Sequence, residues 1–262
     1  GDPVAPSSPM LIVCAGRRIM ANWSSAHGFG VDADTGKLLW TSQIRFGVFS
    51  LSGVTVDDTA GRLYTAGNQT SLPDRSAFVV CLDRASGRPI WKAPVLRMAG
   101  VDPGFGNGNV LLSPDRDRLY LHDACGHVMA LDARDGRLVW TQAVTSSTPL
   151  YAGTQTLGPC WKDRTIGRTR LIVCANAVTD AVFCLQDDGA SGSIVWKASP
   201  AKGMEYRWWG HAASSTDGRR LYLNGFKAAG NPVLACLDAS KGGVLWTLEG
   251  SIALPMNLYP PP

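Results

Sequence analysis

The chain has 262 residues, of which 45% are apolar and 18% charged, a balance that supplies a large core and excludes a disordered polypeptide. Its net charge of +4 is scattered, with no run of five or six like charges, which excludes a nucleic-acid arm or a basic membrane patch. No stretch of eighteen apolar residues offers a membrane span, and the first residues do not read as a signal peptide.

Taken in chain order, one phrase of about fifty residues recurs. The first copy predicts a short strand in Pro3 to Ser8, then Leu11-Ile12-Val13, then a connection carrying Arg17, Arg18, Trp23 and His27. It closes on Val31-Asp32-Ala33-Asp34-Thr35-Gly36-Lys37-Leu38-Leu39-Trp40. The second runs through Val54-Thr55-Val56, Leu63-Tyr64-Thr65 and Leu82-Asp83 to Gly87 and Trp91. The third predicts four strands: A near Val110 to Ser113, B near Leu119 to His122, C near Val128 to Asp132 and D near Leu138 to Thr141. The fourth, with Leu171-Ile172-Val173 and Leu185-Gln186 to Gly192 and Trp196, has two extra residues and lacks the Asp. The fifth carries His211-Ala212-Ala213, Leu221-Tyr222-Leu223 and Leu237-Asp238 to Gly242 and Trp246. The tryptophans stand 51, 49, 56 and 50 residues apart, and a glycine precedes each by four.

The chemistry of the phrase is a strand, a tight turn and a returning strand. The Asp side chain bonds nearby backbone and the Gly supplies a positive φ. A four-stranded sheet with two apolar faces cannot bury both alone, whereas radial stacking of such sheets buries both. The expected fold is therefore an all-β propeller of five four-stranded blades, or five blades of a larger propeller. The blades are expected at about residues 3–44, 53–94, 109–144, 153–198 and 210–248. A further inner strand after Trp246 would begin near Pro260. Five blades in simple order are thus expected, with another chain as a partner if the ring is incomplete.

Leu131-Asp132-Ala133-Arg134-Asp135-Gly136-Arg137-Leu138-Val139-Trp140, repeated five times, resembles the repeat of the pyrroloquinoline-quinone-type propellers. The resemblance implies that Trp and Gly dock one blade on the next. That superfamily includes quinoprotein dehydrogenases and non-catalytic propellers such as the outer-membrane assembly lipoproteins, so it specifies fold more than function. A dehydrogenase of that kind would need Glu, Asn and Asp around calcium and the quinone, a catalytic Asp and usually a vicinal disulfide. Here no two cysteines are adjacent, and the only glutamates are Glu205 and Glu249. No cofactor is expected; pyrroloquinoline quinone with calcium belongs only to the alternative reading, a divergent or truncated quinoprotein-like dehydrogenase.

The seven cysteines mostly follow the repeat. Cys81, Cys184 and Cys236 share one position with Gly30 and Ala130, and Cys14 and Cys174 share another with Ala66, His122 and Asn224. These five are expected as small buried thiols, too far apart between blades for disulfides. Cys125 and Cys160 have no such explanation. Reduced thiols point to an intracellular compartment, while the sequons Asn22-Trp23-Ser24 and Asn68-Gln69-Thr70 point to a secreted one.

In a propeller the D-to-A and B-to-C connections emerge on one face, and here they are aromatic. The candidate ligand or partner site is Arg17, Trp23, Phe49, Phe105, Tyr151, Arg207, Trp208, Trp209 and His211. Aromatic and Arg side chains offer contact area and hydrogen bonds at small entropic cost; the competing reading is that they cap the core. The expected partner is a protein or an extended ligand, with no nucleic acid and no membrane span. An axial metal on a hydrolase-like ring is a third reading, for which only His211 among the inner-strand residues offers a ligand.

Overall fold

The computed structural model describes residues 10–14, 17–24, 27–42, 44, 54–69, 76–94, 110–122, 126–144, 155–163, 165–175, 181–198, 206–227 and 232–249. The regular elements are all strands. They form five antiparallel four-stranded sheets, each taking its strands in sequence order. Blade 1 consists of β1 (Met10–Cys14), β2 (Arg17–Ser24), β3 (His27–Asp32) and β4 (Leu38–Thr41). Blade 2 has β5 (Thr55–Asp57), β6 (Arg62–Gln69), β7 (Ser76–Asp83) and β8 (Pro89–Pro94). Blade 3 has β9 (Leu111–Leu112), β10 (Arg118–His122), β11 (His127–Asp132) and β12 (Leu138–Ala143). Blade 4 has β13 (Gln155–Asp163), β14 (Arg168–Ala175), β15 (Ala181–Asp187) and β16 (Gly192–Ala198). Blade 5 has β17 (Tyr206–Ser214), β18 (Arg220–Lys227), β19 (Pro232–Asp238) and β20 (Val244–Glu249).

The first strands of successive blades are neighbours, so β5, β9, β13 and β17 form an inner wall. Thr55 Oγ1 donates to the Val110 carbonyl, and Cys160 Sγ lies 3.1 Å from the Leu112 carbonyl. Cys160, unexplained by the repeat, is thus an inner-strand thiol bridging two blades.

The turn between the third and fourth strands works as its sequence demands. Asp32 Oδ1 accepts the N–H groups of Asp34 and Thr35 at 3.1 and 3.0 Å, and the Gly36 N–H donates to the Asp32 carbonyl at 2.8 Å. Gly36, Gly87, Gly136 and Gly242 adopt φ between 66° and 78°, open to glycine at no steric cost. In blade 4 the same turn is built from Asp187, whose Oδ1 accepts the Gly189 N–H at 2.8 Å, and the positive φ of 94° passes to Gly189.

Ionised aspartates stabilise these turns. The Arg134 side chain holds the Asp132 carboxyl down to about 2, and the Ser240 hydroxyl likewise lowers Asp238. A folded value below the unfolded ~3.9 contributes stability that is complete above that value and is lost as pH falls toward the folded one. Urea midpoints should therefore be flat from pH 7 to 5 and fall steeply between about pH 4 and 2. Asp132→Asn should flatten part of that fall.

Buried apolar residues lie between sheets, in four cores that follow chain order. Trp40 packs with Leu63, Phe78, Val80 and Leu82 between blades 1 and 2. Tyr64, Val79 and Cys81 meet Leu119, Met129 and Leu131 between blades 2 and 3. Tyr120, Val128 and Trp140 meet Leu171, Phe183 and Leu185 between blades 3 and 4. Ile172, Val182, Cys184 and Trp196 meet Leu221, Leu223, Ala235 and Leu237 between blades 4 and 5. No blade has a private core, which is why the repeat requires neighbours.

Every joint uses one device. The indole of Trp40 lies on Gly87, so that a Cβ built there would fall among its ring atoms, and Trp196 sits on Gly242 in the same way. Built Cβ atoms at Gly136 and Gly192 would stand 2.7 Å from the rings of Trp91 and Trp140. The indole N–H of Trp40 donates to the Arg84 carbonyl and that of Trp196 to the Ala239 carbonyl, each at 3.0 Å. The corresponding carbonyl in blade 3, Ala133, is instead taken by Arg62 and the Tyr64 hydroxyl. In blade 4, Asp187 replaces the carbonyl: Oδ1 accepts the Trp140 N–H at 3.1 Å and Oδ2 the Tyr120 hydroxyl at 2.7 Å. The fourth copy thus splits the work of one glycine between Gly189 for the turn and Gly192 for the indole.

Cys81, Cys184 and Cys236 are fully buried free thiols paired across the sheet with Trp91, Trp196 and Trp246, and burial pushes Cys81 and Cys184 up to about 12. Gly30 fills the same place opposite Trp40, where a Cβ would again strike the indole. The position is small because a tryptophan covers it.

Blade 1 corrects the sequence reading. Asp32 pairs with Ile19, as Asp83 pairs with Arg62, so its second strand is Arg17–Ser24 and Met10–Cys14 is the first. The aliphatic run at Leu11 looked like a second strand because Arg17–Ser24 lacks the Leu-Tyr phrase. Cys14 consequently leaves the Cys174 position, which Trp23 occupies instead.

Candidate functional site

A strand advances about 3.3 Å per residue, so the ends of β2 lie far apart. Arg17 pairs with Cys14 at the β1–β2 hairpin, whereas Trp23 pairs with Gly28 at the opposite end. Roughly 20 Å of strand separates the two. Neither lies in a connection between second and third strands: both belong to β2, and His27 begins β3. Arg17 therefore sits on the side of the Asp-Gly turns and is removed from the aromatic face. Trp23 stays on that face, at the repeat position of Ala66, His122, Cys174 and Asn224.

Arg207, Trp208 and Trp209 also change status. They were expected in a connection, but they lie in β17, the inner strand of blade 5, together with His211, which the sequence also placed on that strand. Tyr206 to Trp208 pair with Lys227 to Gly225, and Ala212 to Ser214 pair with Leu223 to Leu221. Trp209, Gly210 and His211 together oppose the single residue Asn224, an irregularity that breaks the alternation of the strand. The parity rule for adjacent Trp208 and Trp209 does not hold through such a segment. A second break lies on β13, where Gly158 and Pro159 stand between the pairs of Leu157 and Cys160. Gly and Pro inside a strand are the sequence signal for these bulges, and Gly158-Pro159 and Gly210 carried it unread.

The inner strands enter from the same side as the second strands end. The first residues of β17 and the Trp23 end of β2 therefore share one face, and Arg17 is on the other. Phe49, Phe105 and Tyr151 lie outside the described residues.

The opposite, Asp-Gly face is occupied by pairs that join blades. Arg116 bonds Asp57 at 2.8 Å, and Lys162 pairs with Asp115. Arg84 bonds Asp58 at 2.9 Å within blade 2. These charges thus have partners within the propeller.

Among the described residues no group of three or more His, Cys, Asp or Glu converges, and Glu249 is on the outer strand β20. His27, His122, His127 and His211 lie on strands of three different blades. Among the described residues the donor set does not fit a calcium-bound quinone. Among the described residues no helix is long and apolar enough to cross a membrane.

Five sheets in ring order, joined by indole on glycine, define a β-propeller. The family model described as outer membrane protein assembly factor BamB matches residues 29–166. The chain belongs to that family of pyrroloquinoline-quinone-type repeat propellers. No curated protein matches the chain in sequence. Among solved structures it is similar to the C-terminal domain of Pseudomonas aeruginosa PilY1, at TM-score 0.68 and 15% identity over 90% of this chain and 71% of that one. BamB from Moraxella catarrhalis is similar at TM-score 0.52 and 15% identity, over 93% of this chain and 76% of that one. The quinohemoprotein alcohol dehydrogenase from Comamonas testosteroni gives TM-score 0.61 and 14% identity, over 91% of this chain but 42% of that one. The chain thus spans less than half of that dehydrogenase's length. At these identities the likeness establishes the fold.

Proposed function

We propose that the chain is a non-catalytic propeller that binds a protein partner or extended ligand on the face opposite its Asp-Gly turns. The observation that carries this reading is the irregular segment of β17. It places Arg207, Trp208, Trp209 and His211 on an inner strand at the same face as Trp23. Bulges re-aim side chains and recur beside binding sites, and closely spaced Trp and Arg are the residues that anchor interfaces. The family, described as an outer membrane protein assembly factor, supports a scaffold role. In sequence Phe49, Phe105 and Tyr151 fall in the stretches between blades, and the proposal includes them.

A phage-displayed peptide library selected on the intact chain tests this. Peptides enriched on the wild type should lose about tenfold or more in affinity for a Trp208→Ala/Trp209→Ala variant and keep their affinity for Arg17→Ala. Enrichment indifferent to the tryptophans overturns the site. In parallel, calcium and pyrroloquinoline quinone should leave the protein without quinone absorbance and without dye-linked alcohol oxidation. Tight quinone binding with turnover would sink the non-catalytic reading in favour of a quinoprotein-like oxidoreductase.

A further inference from the structure

The inner strands of blades 4 and 5, β13 and β17, lie side by side, and both are bulged. On β13 Gly158 and Pro159 together oppose Ile172, and on β17 Trp209, Gly210 and His211 together oppose Asn224. The two irregularities stand at adjoining levels of the wall. Ala212, which follows the β17 bulge, pairs with Leu223, and Leu157, which precedes the β13 bulge, pairs with Val173. Leu223 and Val173 hold one place in the repeat, since Tyr222 before the one pairs with Cys236 and Ile172 before the other pairs with Cys184. Gly158, next to Leu157, is thereby brought against Ala212.

The approach leaves no room for a side chain. A Cβ built on Gly158 would stand 2.9 Å from the Ala212 Cβ and 3.0 Å from the Ile172 Cβ. Neither atom can rotate away, because a Cβ is fixed by its own backbone, so a methyl at Gly158 has to displace a strand. Gly158 is not one of the glycines with positive φ. What demands glycine here is the close passage of another backbone, not the local conformation.

Of the two strands, β13 is the more firmly held. Beyond its bulge the Cys160 Sγ lies 3.1 Å from the Leu112 carbonyl of blade 3, and Lys162 pairs with Asp115 of the same blade. The far end of β17 is also fixed to β13, since a Cβ built at Gly218 in the turn after it would stand 3.0 Å from the Trp161 ring. The part of β17 that can yield is the bulge itself, where the ladder to β18 is broken between Trp208 and Ala212.

We propose that Gly158 is a positioning residue for the binding face: its missing side chain admits Ala212, and Ala212 sets where the Trp209 to His211 bulge stands on the inner wall. The role rests on the partner site assigned above to that face and adds a determinant on the neighbouring blade. Gly158 is buried, so it acts through β17.

Gly158→Ala, Ala212→Gly and the double variant test this in the intact chain, with Gly87→Ala as an added methyl at a distant joint. Peptides selected on the wild type should bind Gly158→Ala about tenfold or more weakly. Ala212→Gly removes the nearest atom, so the double variant should return to within about threefold of the wild type. Gly87→Ala should lower the urea midpoint and leave peptide affinity unchanged, which separates position from stability. If Gly158→Ala does not fold alone, folding of the double variant is the rescue. A second readout needs no partner. In a chain labelled with fluorotryptophan, the fluorine resonances of Trp208 and Trp209, assigned through Trp208→Phe and Trp209→Phe, should shift in Gly158→Ala and return in the double variant. Resonances that shift and return while peptides ignore the tryptophans would support the positioning of the bulge and refute the partner site. Unmoved resonances, a Gly158→Ala variant that binds like the wild type, or a double variant no nearer the wild type than the single one would overturn the role of Gly158.

Discussion

Gly87→Ala should destabilise the protein by about 3 kcal/mol, whereas Gly36→Ala should cost only about 1 kcal/mol, although the two glycines occupy one place in the repeat. Both have φ near 66°, so an L residue suffers comparable backbone strain at either. The difference is the neighbour. At Gly87 the new methyl would have to displace the Trp40 indole, which is buried and held by its N–H bond to the Arg84 carbonyl. At Gly36 no described atom is within 4 Å. Urea unfolding provides the comparison, with the slope checked for two-state behaviour. Equal losses would mean that the indole does not sit on Gly87.

Asp187→Ala should cost about 4 kcal/mol, because two buried donors lose their acceptor at once and each unsatisfied group costs roughly 1–3 kcal/mol. The Tyr120 hydroxyl and the Trp140 indole N–H both end on this carboxylate, and its Oδ1 also closes the turn at Gly189. Burial and the neighbouring carboxylate together push the Tyr120 hydroxyl well above its ordinary range, so it remains a donor. Asp187→Asn keeps the shape and one acceptor oxygen and should lose clearly less. Urea midpoints for the two variants, with near-ultraviolet circular dichroism to follow the Trp140 environment, read the difference. An alanine variant as stable as the asparagine one would show that the joint between blades 3 and 4 rests on apolar packing alone.

The repeat was legible because its residues answer to local geometry and to one nearest neighbour. The Asp-to-Gly turn, the alternating strands and the covering Trp recur wherever the backbone does the same thing, and the third copy's four strands lie where its sequence placed them. The small position at Cys81 and Cys184 was legible for the same reason. Blade 1 was misread where its second strand substitutes Met20, Ala21 and Asn22 for the Leu-Tyr phrase, since only pairing with β3 distinguishes that strand from the one before it. The aromatic segment at Trp208 was misread as a connection because a bulged strand loses the alternation by which strands are recognised. Of the candidate site, the residue types and the shared face of Trp23 and β17 were legible, and the position of Arg17 was not.

By itself the sequence determined the architecture of each blade, the turn chemistry, and that every blade must lean on another, because these follow from hydrogen bonding and burial within about fifty residues. Only the tertiary structure decided which partner each indole receives. It showed Asp187 taking over the work of a missing Asp and a backbone carbonyl, Trp209 to His211 interrupting an inner strand, and Trp246 exposed where Trp40, Trp140 and Trp196 are buried. The physical reason is that a repeat specifies two complementary faces identically in every copy. Whether those faces meet depends on the curvature summed over all the joints, which no single copy encodes.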